Sequence, residues 1–166
     1  MAIMKIRLYG DDVLRKKNKY IKKFDKKLVE LVNSMFDTMY EAKGIGLAAP
    51  QVGLLKKLMV IDTGEEGEKF AFANPKIVWS STEMVKMNEG CLSIPGVEGE
   101  VVRPESIRIK ADDPFTGTPV EMELTGLPAR VFQHELDHLN GILFIDHLPA
   151  LERSMIERKL QELAAA

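Results

Sequence analysis

Cysteine is almost absent from this chain. Cys91 is the only one in 166 residues, so no internal disulfide can form and the thiol is left as a buried filler, a nucleophile or a metal ligand. An excess of either charge is missing too: 23 basic residues face 25 acidic ones, a net charge of -2, which offers no global attraction to nucleic acid or anionic lipid and no expectation of specific DNA binding. No apolar run approaches membrane-spanning length, and Met1-Ala2-Ile3-Met4-Lys5-Ile6-Arg7 passes into charged sequence without the apolar core of a secretion signal. These absences predict a soluble cytoplasmic protein with no membrane partner. Repeats, low-complexity tracts and linkers are absent as well, and the length suits one hydrophobic core, so a single domain over residues 1–166 is expected. The one local charge imbalance is Arg15 to Lys27, where eight basic residues stand against Asp25 alone; such a run ordinarily forms a solvated face.

Apolar residues at Leu28, Leu31, Val32, Met35 and Met39 predict a helix over Phe24 to Lys43, with Asp25 as N-cap, Gly44 as stop and both methionines in the core. After a loop from Gly44 to Gly53, strands are expected at Leu58–Asp62, Phe70–Ala73 and Ile77–Ser80, the last two separated by a turn at Asn74-Pro75. Alternation at Ile107 and Ile109, then at Val120, Met122 and Leu124, predicts a hairpin or meander. A helix from Leu127 to Asn140 closed by Gly141, a short strand Ile142–Ile145 and a C-terminal helix from Pro149 to Leu163 complete the outline. Leu151, Met155, Ile156, Leu160 and Leu163 share one side of that last helix and are expected to pack on the body.

Only three histidines are present, and two of them lie in Gln133-His134-Glu135-Leu136-Asp137-His138. On a helix, residues four apart share a face, so both imidazoles converge on one divalent ion while Glu135 stands beside it as a proton acceptor. That spacing points to metal-assisted hydrolysis and requires a third ligand. A metzincin would place a histidine at position 144, which is Phe144; His147 comes three residues late and reads as a surface or hydrogen-bonded residue. A zinc endopeptidase with a glutamate ligand would draw on Glu152, Glu157 or Glu162, which read as the polar side of the last helix. Cys91, within Glu89-Gly90-Cys91-Leu92-Ser93, is the favoured third ligand, because Cys-His-His leaves a tetrahedral ion one open position. Small residues in Gly44-Ile45-Gly46-Leu47-Ala48-Ala49-Pro50-Gln51 indicate close backbone approach, either to a neighbouring strand or to an extended peptide.

These three segments together resemble the signature motifs of peptide deformylases, in the same order and with similar separations. The resemblance implies an α+β fold of mostly antiparallel strands around a central helix carrying the histidine pair, with an N-terminal and a C-terminal helix. It implies removal of the formyl group from formylmethionine of nascent bacterial polypeptides, with Cys91, His134 and His138 as metal ligands and Glu135 as general acid/base. Gln51, through its side-chain amide, and Leu92, through its backbone N–H, are then the oxyanion donors. Ferrous iron is the implied ion, with zinc, nickel or cobalt able to replace it. The peptide backbone is expected along Gly46 and Gly90, with Ile45 and Val131 lining the methionine pocket and Arg130 at its wall. Glu89 and Arg103 are expected to form an ion pair bracing the cysteine segment. Relatives also suggest a C-terminal helix that docks on the ribosome. A non-catalytic, ribosome-associated metal-binding module is the remaining alternative.

Overall fold

Asp25 starts the first long helix, its side chain accepting a hydrogen bond from Leu28 N at 3.0 Å. The computed structural model describes residues 2–166. Helix α1 (Lys26–Glu41) buries Leu28, Val32, Met35, Phe36 and Met39 on one side, so the two methionines are core residues as the spacing implied. The left-handed residue that turns the chain out of α1 is Lys43, at φ 60°, and not Gly44.

Seven strands follow the helix: β1 (Gly46–Ala48), β2 (Leu58–Asp62), β3 (Lys69–Ser80), β4 (Met84–Cys91), β5 (Ile94–Pro104), β6 (Ser106–Asp112) and β7 (Pro119–Thr125). Five of them form an antiparallel sheet in the order β1-β2-β3-β6-β7, and β4-β5 form a separate two-stranded sheet. The expected strands 70–73 and 77–80 are one strand. Asn74-Pro75 bulges it instead of turning it, because the Asn74 side chain is held on both sides: it accepts from Ile21 N and donates to Ile21 O and to Asp112. Those bonds pin the N-terminal segment across the sheet.

Helix α2 (Leu127–Leu139) lies against β1, β2 and β7 and buries Ala129, Val131, Phe132 and Leu139 with Met59, Phe72, Ile107 and Ile109. Gly141, at φ 74°, ends it as expected. The predicted strand Ile142–Ile145 does not form. The Asp146 carboxylate accepts from Leu143 N, and the chain winds into a short 3-10 helix, Phe144–His147, whose apolar residues plug the space beneath the β4-β5 hairpin with Leu14, Ile94, Val97 and Val101. Helix α3 (Ala150–Ala165) joins this cluster through Leu160, Ile156 and Leu163. The rest of its expected apolar side is not covered, since Leu151 and Met155 are 74% and 76% exposed. No helix among the described residues is long and apolar enough to cross a membrane.

Candidate active site

Three elements converge on one cleft of about 440 Å³. Helix α2 contributes His134, Glu135 and His138; the end of β4 contributes Glu89, Gly90 and Cys91; and a 3-10 turn after β1 (Ala49–Val52) contributes Gln51. One helical turn separates the two imidazoles, whose centroids lie 5.1 Å apart. The ligand atoms of Cys91, His134 and His138 all fall within 4.8 Å of one another, and Cys91 Sγ is 3.3 Å from His138 Nε2. Tetrahedral zinc-type bond lengths put such donors about 3.5 Å apart, so one sulfur and two ring nitrogens have the spacing and chemistry to hold a divalent cation.

The carboxylate of Glu89 is the hub of the surrounding polar network. It is buried and accepts from Arg103 Nε at 2.6 Å, Arg103 Nη2 at 3.0 Å and Arg130 Nη1 at 2.7 Å. Its Oε1 lies 2.8 Å from His134 Nδ1, an arrangement that fixes the ring and turns Nε2 toward the site. Burial alone would push Glu89 up, but the hydrogen bonds to His134 and Arg103 outweigh it and hold the carboxyl well below the usual range. Arg103 also reaches Asp137 at 2.9 Å, and Asp137 in turn pairs with His147 at 2.8 Å. The third histidine is therefore a hydrogen-bonded residue outside the cluster, as expected.

Glu135 presents a different environment. It is buried, its Oε1 has no hydrogen-bond partner among the described residues, and burial pushes its carboxyl up to about 7. That is the range in which a side chain both takes and returns a proton near neutrality. His138 is pushed well below its usual value by burial, so its ring stays neutral, the form that ligates a metal.

Gln51 is held on both sides: its Oε1 accepts from Ala48 N at 2.9 Å, and its Nε2 faces Ser93 Oγ at 3.1 Å and Cys91 Sγ at 3.5 Å. Gly46 is demanded by contact, because a Cβ there would lie 2.5 Å from Val131 Cγ1 and 2.6 Å from Glu135 Oε2. Gly90 is not crowded in this way, its nearest neighbours being 3.7 Å from an added Cβ.

Residues 3–154 match the family described as polypeptide deformylase. The chain belongs to the peptide deformylase family. It is 53% identical over 146 residues to a peptide deformylase of Caldicellulosiruptor bescii, covering 88% of this chain and 86% of that one. A crystal structure of a peptide deformylase from Legionella pneumophila superposes with a TM-score of 0.90 at 48% identity, covering 97% of this chain and 95% of that one. A plant peptide deformylase PDF1B superposes at 0.93, again at 48% identity, covering 98% and 90%. Membership makes the chain a metal-dependent hydrolase that removes the formyl group from N-formylmethionyl peptides, and the α+β architecture is the family's.

Seen as a deformylase, the molecule brings together the residues that the motifs suggested. Ile45, Gly46, Gln51, Gly90, Leu92, Val131 and Glu135 line the same cleft as Cys91 and His134. The glutamates proposed as an alternative third ligand are elsewhere: Glu157 and Glu162 pair with Arg153 and Arg158 on their own helix. Sequence reading missed the part played by Arg130. Its guanidinium does not project into the pocket as a free charge; besides Glu89 it bonds Val101 O at 2.9 Å and Val85 O at 2.6 Å, tying α2 to both strands of the hairpin. The available signal was an arginine one turn before His134, on the same helical face as the ligands.

Proposed function

We propose that this deformylase works through a ferrous ion held by Cys91, His134 and His138, a site that zinc, nickel or cobalt can also fill, in a single domain spanning residues 1–166. A bound divalent cation supplies Lewis-acid activation of water and of the formyl oxygen. Glu135 takes a proton from the attacking water and delivers it to the departing amine, so that formate and a free N-terminal amine result. The Gln51 amide and the Leu92 backbone N–H are the donors that meet the oxyanion as the formyl carbon becomes tetrahedral.

An N-formylmethionyl nascent peptide lies between the two sheets. β1 is the last strand of the five-stranded sheet, so its outer edge has backbone groups free to pair with an extended chain, and Gly90 offers its backbone from the facing hairpin. Ile45 and Val131 take the methionine side chain, and Arg130, its guanidinium committed to Glu89 and two carbonyls, adds no free charge beside them. Glu89 and Arg103 hold His134 and the cysteine segment in register. The enzyme acts in the cytoplasm, with the exposed Leu151 and Met155 of α3 as a docking surface for the ribosome.

The convergence of the thiol and two imidazoles beside a buried, unpartnered glutamate carries this reading. Formate release from formyl-Met peptides, measured with metal content in samples prepared with and without air, tests it. Activity should follow bound iron and fall on exposure to air; undiminished activity after complete metal removal would overturn it.

A further inference from the structure

The basic run from Arg15 to Lys27 takes no part in the cleft. Lys16, Lys17, Lys19, Lys22, Lys26 and Lys27 are exposed, and within the run only Lys23 has a carboxylate within 4 Å of a lysine, its neighbour Asp25 at 3.8 Å. The fold also concentrates this charge. Lys19 N–H donates to Leu55 O and Lys57 N–H to Lys19 O, a parallel bridge that sets Lys19 directly beside Lys56. Like charges opposite one another on paired backbones are destabilising, and here no acid offsets them.

Tyr20, next along the chain, is 66% exposed, with Lys57 Nζ 4.0 Å from its ring centroid. Beside the ring is a depression of about 250 Å³ lined by Lys57, Lys76, Asn140, Pro75, Leu136 and Leu139. It contains no acid. Apolar lining residues, an exposed aromatic ring and side-chain donors beside it, flanked by unpaired lysines, match the two requirements of single-strand recognition: a surface for a base and cations for its phosphates.

We infer that this face binds a single-stranded polynucleotide, one base lodging against Tyr20 in the depression while Lys17, Lys19, Lys22 and Lys56 contact successive phosphates. The site is separate from the peptide cleft. Both openings draw on α2, but the depression takes Leu136 and Leu139 and the cleft His134 and Glu135, with no lining residue in common, so a bound strand leaves the peptide cleft open. A lipid headgroup layer would satisfy the lysines but gives the depression no planar occupant.

The test is fluorescence anisotropy of the metal-loaded enzyme with labelled 15-nucleotide single-stranded RNA, with the same DNA sequence and with phosphatidylglycerol vesicles. Binding to the single strands is expected, falling with salt on a log–log slope near -3 for four phosphates; the RNA and DNA arms show which sugar is preferred. The triple variant Lys19→Gln, Lys22→Gln, Lys56→Gln should flatten that slope by about 2. Tyr20→Ala should weaken binding roughly tenfold, the size of one lost stack, and both variants should deformylate a short formyl-Met peptide at the parent rate. No binding at 50 mM salt, vesicle binding as tight as RNA binding, or a Tyr20→Ala variant that binds RNA as the parent does would overturn the inference. None of these outcomes bears on deformylation, which the peptide assay reads separately.

Discussion

Glu135 and Gln51 are held by opposite means, and substitutions at the two positions should fail differently. Glu135 gains its proton affinity from burial, so Glu135→Gln should keep shape and metal but remove the proposed proton carrier. Its kcat is expected to fall by about 10²–10⁴, with metal content unchanged when the same sample is assayed for formate release and by atomic absorption. Gln51 is anchored through its Oε1 at Ala48 N; Gln51→Ala removes one of the two proposed oxyanion donors and should cost about 3–4 kcal/mol of barrier. The loss should appear in kcat, with KM little altered. Cys91→Ala, by contrast, should abolish metal retention, an outcome that a glutamate-ligated site would not give. The meeting of Cys91, His134 and His138 was legible because residues four apart on a helix share a face and the chain has a single thiol; Gln51 was legible only through the family resemblance. Arg130 was not legible as a brace, because its partners are Glu89 and two carbonyls 29 and 45 residues away in sequence, and only folding brings them to it.

At the scale of elements, the β4-β5 hairpin stands apart from the main sheet and carries Cys91, while α2 carries the histidines. Their register depends heavily on Arg103 and Arg130, which share the Glu89 carboxylate from two directions. Removing either guanidinium leaves buried charge uncompensated, and breaking such a pair costs about 3–5 kcal/mol. Arg130→Ala should therefore lower the urea midpoint and hasten metal loss to a chelator, and Arg103→Ala should do the same; unchanged chelation kinetics in both would separate the network from the metal site. This hairpin was also the element hardest to anticipate. Its inward residues run Val85, Met87, Glu89, ending in a charge, so apolar alternation fades where the site begins. The 3-10 helix at Phe144–His147 was misread for a related reason: an apolar run of four indicates burial but not backbone conformation, and the Asp146 hydrogen bond to Leu143 N decided the latter. α1, α2 and β2, with strong periodicity and clear ends, were read nearly to their boundaries.

For the molecule as a whole, the network makes acid stability a property of the site. Glu89 in the folded protein ionises well below its ordinary value of 4.5. A depressed carboxyl stabilises the fold above the unfolded pKa and loses that contribution as pH falls through the folded one. Metal-free protein should thus hold its denaturation midpoint down to about pH 4.5 and lose stability steeply below it. Glu89→Gln, already destabilised at neutral pH, should show a flatter profile over the same acid range; parallel profiles would place the acid sensitivity elsewhere. Cys91 closes the account at this scale. It is half-buried at the cleft and the chain has no second thiol, so a sulfenic acid formed there by peroxide has no internal thiol with which to form a disulfide. Without glutathione or another outside thiol to intercept it, the sulfur proceeds to the sulfinic state, from which ordinary reductants do not recover it. Oxidative exposure thereby becomes a one-way inactivation of each molecule it reaches.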